Sequence, residues 1–203
     1  MGKTPRRRQR ATKPPPYAEL HAASAFSFLT GASLPEDLVA RAAALEIPTV
    51  ALVDRNGVYG APRFYRAAKQ AGIKAVVGAE VALVKDDLTA PGSAPPDPTN
   101  PTDPTADLPR LTLLVSSRTG YRNLCRLLTR AACSHPKGEA QASWEMLAEH
   151  AAGLHCITGS TEGPLARAFL RAGFVTADRL LDRLSGLFPD ALHVELQRHR
   201  RRD

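Results

Sequence analysis

Three residues of ligand and acid–base type stand at similar places in the first half of the chain. His21 follows Tyr17–Leu20, Asp54 follows Thr49–Val53, and Glu80 lies in Lys74-Ala-Val-Val-Gly-Ala-Glu80. Imidazole and carboxylates together can hold divalent cations or move protons. Each of the three closes a short run rich in apolar and β-branched residues, which reads as a strand. In α/β folds, chemistry collects at the C-terminal ends of parallel strands, so the three point to one shared site.

The elements that must position them alternate. Ser33-Leu-Pro-Glu36 has the form of a capping box with proline in the first helical turn. Leu38, Val39, Ala42 and Leu45 then fall on one helical face, and Pro48 ends the unit. Asn56-Gly57 and Gly60 mark the next loop. Pro62–Ala71 predicts a helix with Phe64, Tyr65 and Ala68 inward, stopped at Gly72. Further strands are predicted at Ala75–Val84, Leu111–Val115, His155–Thr158 and Ala191–Leu196. Helices are predicted at Gly120–Cys133, after Ser143, at Gly163–Ala172 and from a Thr176 cap to Leu187. Alternating strand and helix implies a mostly parallel sheet, in either an open doubly wound or a barrel arrangement. No Gly-x-Gly-x-x-Gly follows the first strand, so nothing suggests a dinucleotide site.

The flanks differ from this body. Residues 1–16 are Arg- and Pro-rich without apolar periodicity and read as a disordered basic tail. Residues 85–109, with seven prolines, read as a flexible Pro-rich loop inside the domain, which spans 17–203. The formal charge of +7 concentrates at the two ends, leaving the body slightly acidic, so no folded basic face is expected. A basic arm can touch phosphates non-specifically. At 203 residues and 43% hydrophobic content the chain can bury one sizeable core. It has no run of about 18 apolar residues. Cys125, Cys133 and Cys156 lack Cys-x-x-Cys spacing and read as reduced thiols, so the chain is placed in the cytoplasm with no membrane partner. His135, His150, His155 and His193 read as structural histidines.

Three segments carry a family resemblance: Leu-His-x-x-Ser-x-Phe-Ser-Phe-Leu-x-Gly-Ala-Ser from Leu20, Ala-Leu-Val-Asp-x-x-Gly-Val-Tyr-Gly from Ala51, and Val-Val-Gly-Ala-Glu ending at Glu80. They resemble the start of a PHP domain. They are most similar to the N-terminal PHP domain of bacterial C-family DNA polymerases, namely the DNA polymerase III alpha subunit and, most of all, its error-prone relative. The likeness continues through Leu111–Val115, Gly120–Thr129, Gly153–Gly159 and Val194–His199.

The resemblance implies a distorted (β/α)7 barrel, incomplete here if only six strands are present. It implies two or three zinc or manganese ions held by His, Asp and Glu, and phosphoester hydrolysis. On this sequence His21, Asp54 and Glu80 match family ligands. Ala23, Thr30, Arg55 and Arg110 stand where the family carries others. A guanidinium stays protonated and cannot ligate a metal. The expectation is therefore a vestigial metal site, rebuilt as an arginine–carboxylate network and non-catalytic in this chain. Glu195 and His199, in a segment like one near the family site, are outer candidates. The resemblance further implies polymerase domains of the same or a companion chain as partners, DNA contact only indirect or through the basic tails, and a role in replication or repair. The alternative is an active metal-dependent phosphoesterase or 3'-5' exonuclease.

Overall fold

A computed structural model describes residues 17–28, 30–86, 88, 108–159 and 163–196. The tail 1–16, most of the proline-rich stretch and His199 lie outside these residues.

Six strands form one sheet in chain order: β1 (Glu19–Ala22), β2 (Thr49–Arg55), β3 (Lys74–Ala82), β4 (Arg110–Val115), β5 (Leu154–Ile157) and β6 (Leu192–His193). The helices are α1 (Pro35–Ala44), α2 (Ala61–Ala71), α3 (Arg118–Cys133), α4 (Trp144–His150), α5 (Pro164–Ala172) and α6 (Phe174–Leu187). Strands β1, β2 and β3 pair in parallel, as expected, and so do β5 and β6. Strand β4 departs from the mostly parallel expectation, running antiparallel to both β3 and β5. The chain reaches it through the 85–109 stretch, and an antiparallel neighbour needs no helical crossover.

The sheet is curled. Strands at positions one and six of a flat sheet would lie roughly 24 Å apart at ~4.8 Å per strand. Yet Glu195, just after β6, lies 2.9 Å from His21 on β1. The described residues thus make a curled half-barrel of six strands rather than a closed (β/α)7 barrel.

Strand alternation divides the side chains into two layers. On the convex side, Val50 and Leu52 pack with Val39, Ala42, Phe64 and Ala68 of α1 and α2. Farther along, Ala79, Val81, Leu111 and Leu113 meet a larger cluster with Leu124, Leu127, Leu180 and Leu184. The concave side holds a small apolar floor of Ala51, Val53, Leu114 and Ile157. Gly78 faces that floor, where a Cβ would meet the Leu113 carbonyl oxygen at 2.4 Å.

Several local expectations need correction. Helix α1 starts at Pro35 with Leu34 as N-cap, and the Leu34 N–H donates to Asp37 rather than Ser33 pairing with Glu36. Gly173, at φ +80, starts α6, so Thr176 lies inside the helix. The expected Ala191–Leu196 strand shrinks to Leu192–His193. Tyr65 points outward, at 58% exposure, because α2 buries only a narrow stripe through Ala61, Phe64 and Ala68. Ser143 does cap α4, accepting from the Met146 N–H. The described ends of the proline-rich stretch are anchored: Asp86 pairs with Arg183 at 2.7 Å, Leu88 packs on the core and Leu108 is buried.

The positive charge is not confined to the termini. Arg118, Arg122, Arg126 and Arg130 recur every fourth residue on α3, all exposed, and the helix contains no acid. A net charge summed over the body hides this band, because Asp and Glu on other elements cancel it.

Candidate functional site

Parallel β1, β2 and β3 end at one edge of the sheet. Because β4 is antiparallel, it begins at that same edge, with Arg110 beside Ala82 and Thr112 beside Glu80. Arg55 is the register partner of Glu80 on the other side. Register partners share a sheet face, so Arg55, Glu80, Thr112 and Arg110 all belong to the concave layer.

His21 is the centre of the cluster. Its Nδ1 lies 2.9 and 3.0 Å from the two Glu195 carboxylate oxygens, and its Nε2 lies 3.6 Å from Glu80 Oε1. The second contact is long for a hydrogen bond and acts as an ion pair. The His21 side chain is only 18% exposed. Glu80, and after it Glu195, hold the imidazolium against the cost of burial and push the His21 pKa up to about 9. Burial would raise the Glu80 carboxyl. The His21 contact and the Arg110 and Arg55 charges outweigh it and keep Glu80 below the usual carboxylate range. Arg110 is itself buried. The Glu195 backbone N–H donates to Thr158 Oγ1, which fixes the segment that brings its carboxylate back to β1.

Asp54 is employed elsewhere. Buried at 1% exposure, it accepts from the Ser24 N–H at 2.7 Å, from Ser24 Oγ at 2.8 and 3.0 Å, and from Ser27 Oγ at 2.8 Å. Ser27 Oγ in turn accepts from the Arg55 N–H. Asp54 pairs in register with Ala79, which lies in the convex core. The carboxylate organises the loop after β1. The period-2 alternation of Val50, Leu52 and Asp54 was the signal that could have separated it from Arg55 and Glu80.

The structure thus brings His21 and Glu80 together, adds Glu195, and keeps Asp54 bonded to the serine loop. Glu195 was legible only through the resemblance, since 174 residues separate it from His21. His155 and His193 are not isolated structural histidines: their rings stack, and His155 Nδ1 lies 2.9 Å from His193 Nε2. Among the described residues, no three His, Cys, Asp or Glu side chains are gathered to hold a metal ion. Glu80 already faces the His21 side chain and the charges of Arg110 and Arg55. What the cluster does is compensate charge between β1, β2, β3, β4 and the end of β6.

This chain, with His21 and Glu80 at one edge of its sheet, belongs to the PHP domain family, whose model matches residues 19–199. Within that family the relatives are bacterial DNA polymerases. The chain is 37% identical over 211 aligned positions to an error-prone DNA polymerase of Mycobacterium tuberculosis (strain ATCC 25618 / H37Rv), covering 98% of this chain and 18% of that protein. It is 47% identical over 119 positions to an error-prone DNA polymerase of Anaeromyxobacter sp. (strain K), covering 59% of this chain and 9% of that one. It is 31% identical over 194 positions to a DNA polymerase III subunit alpha of Buchnera aphidicola, covering 92% and 15%. The chain therefore spans less than a fifth of the length of these relatives. Among solved structures it is similar to an amidohydrolase from Chromobacterium violaceum, with 22% identity, a TM-score of 0.41, and 58% of this chain and 34% of that one covered. A likeness of that size carries no argument about function.

Proposed function

We propose that this chain is the PHP module of a C-family DNA polymerase of the error-prone or alpha-subunit type. In this reading it is a structural module, and its ancestral metal site has become a charge network. The observation that carries it is the environment of Glu80. One carboxylate faces the His21 imidazolium and the charges of Arg55 and Arg110. Such a network joins distant strands without ions, because guanidinium groups supply permanently the positive charge a metal would bring. The module serves DNA synthesis in replication or repair through polymerase domains of the same or a companion chain, in the cytoplasm. Hydrolysis is not assigned to it.

The test is metal content of the dialysed protein, with phosphomonoesterase and single-stranded DNA exonuclease assays in added manganese on the same sample. The expected result is no stoichiometric zinc or manganese and no turnover. Bound metal together with activity abolished by His21→Ala or Glu80→Ala would overturn the structural reading in favour of a metal-dependent phosphoesterase.

A further inference from the structure

The opposite end of the half-barrel carries a second surface. There β4 ends, α3 begins and β3 starts. A cavity of about 1030 Å3 opens at this end, floored by Val76, Leu114 and Ile157 of the concave layer. Its rim carries Tyr65 and Tyr121, 58% and 41% exposed, with the cations Lys74 and Arg118. No carboxylate lines it among the described residues. Tyr121 also lines a shallow groove between α3 and α4, with Arg122, Arg126 and Arg130. The cavity and the arginine band of α3 are therefore one continuous surface.

We infer that this surface binds single-stranded nucleic acid, with bases entering the cavity against the two tyrosines and phosphates following the arginines of α3. Residues four apart on a helix advance by about 6 Å, so the four arginines form a row about 18 Å long. Arginine presents a planar fork of donors that suits phosphate oxygens. Arg130 is shared with Glu149, so Arg118, Arg122 and Arg126 are the principal phosphate contacts. Exposed tyrosine rings over an apolar floor accept any base by stacking, which gives affinity without sequence preference. A duplex keeps its bases stacked on each other and cannot fill the cavity. An acidic peptide offers the charge but no planar group for the rings. The inference concerns a surface lined by none of His21, Glu80 and Glu195, and it goes beyond the module's structural role.

The test measures binding of fluorescent oligo-dT by anisotropy across a salt series. It uses the full chain and a full chain with Arg6, Arg7, Arg8 and Arg10 changed to serine, so that the tail is scored separately. Binding should persist in the tail variant. Arg118→Gln/Arg122→Gln/Arg126→Gln should weaken it at least tenfold and reduce the salt slope by about two, at ~0.7 per phosphate contact. Tyr65→Ala and Tyr121→Ala should each weaken it on the order of tenfold, while Tyr65→Phe should not. The Arg118, Arg122, Arg126, Tyr65 and Tyr121 side chains are exposed, and unchanged circular dichroism melting would show that the variants fold. The inference fails if oligo-dT does not bind, if the tail substitutions alone abolish binding, if the tyrosine variants bind normally, or if duplex DNA or an oligoglutamate peptide binds as tightly.

Discussion

At one end of the curled sheet, Glu80 sits among His21, Arg55 and Arg110. At the other, Lys74 and Arg118 rim a cavity with no carboxylate among its described lining residues. Both ends are rich in positive charge, yet only the first answers it with partly buried acid among the described residues. Buried charge must be matched within the protein, because desolvation is costly. Exposed charge can wait for a partner, because water solvates it. In the proposed reading the first end acts on stability, and the second is free to act on binding.

The largest expected effect separates the carboxylates of Asp54 and Glu80. Asp54→Ala would strand the Ser24 N–H and two serine hydroxyls in a buried loop, at a cost of about 4 kcal/mol. A urea unfolding midpoint reads it directly. Glu80→Gln removes the carboxylate charge that faces His21, Arg55 and Arg110 and should cost about 3 kcal/mol. If Glu80→Gln proved neutral in the same measurement, the charge-compensating network would not exist.

A smaller effect sharpens the comparison through pH. Folding raises the His21 pKa from 6.5 to about 9, so the folded state binds the proton more tightly. Its contribution, roughly 3 kcal/mol, is fully present below pH ~6.5 and lost as pH climbs through ~9. Thermal melts from pH 6 to 10 should show this decline, and His21→Gln should flatten it. Smallest of all is the exposed Glu36–Arg63 pair on α1 and α2. Glu36→Gln should leave the melting temperature unchanged within error, since solvent screens such pairs. A clear loss there would erase the distinction between matched buried charge and solvated surface charge.

Much of this architecture was legible in residue pattern. The continuous apolar run at Thr49–Val53 marked a buried strand, Gly72 at φ +70 stopped α2 as expected, and Ser143 capped α4. His21 and Glu80 were identified as site residues and do meet. Proximity to a strand end does not by itself place Asp54 with Glu80, because strand parity puts it in register with Ala79 of the convex core. Tyr65 was placed inward because helical periodicity shows that an apolar stripe exists but not how wide it is. The α3 arginines were visible one by one, but their meaning was lost in a net charge.

By itself the sequence determined the strand–helix order and the family, because alternation, caps and motif spacing are local properties of the chain. Three things were left to tertiary structure. They are the reversed direction of β4 that brings Arg110 to Glu80, the curl that brings Glu195 to His21, and the side of the sheet on which each charge lies. The physical reason is common to all three. Each depends on contacts between residues far apart in sequence, and local patterning is indifferent to which distant strand a residue meets.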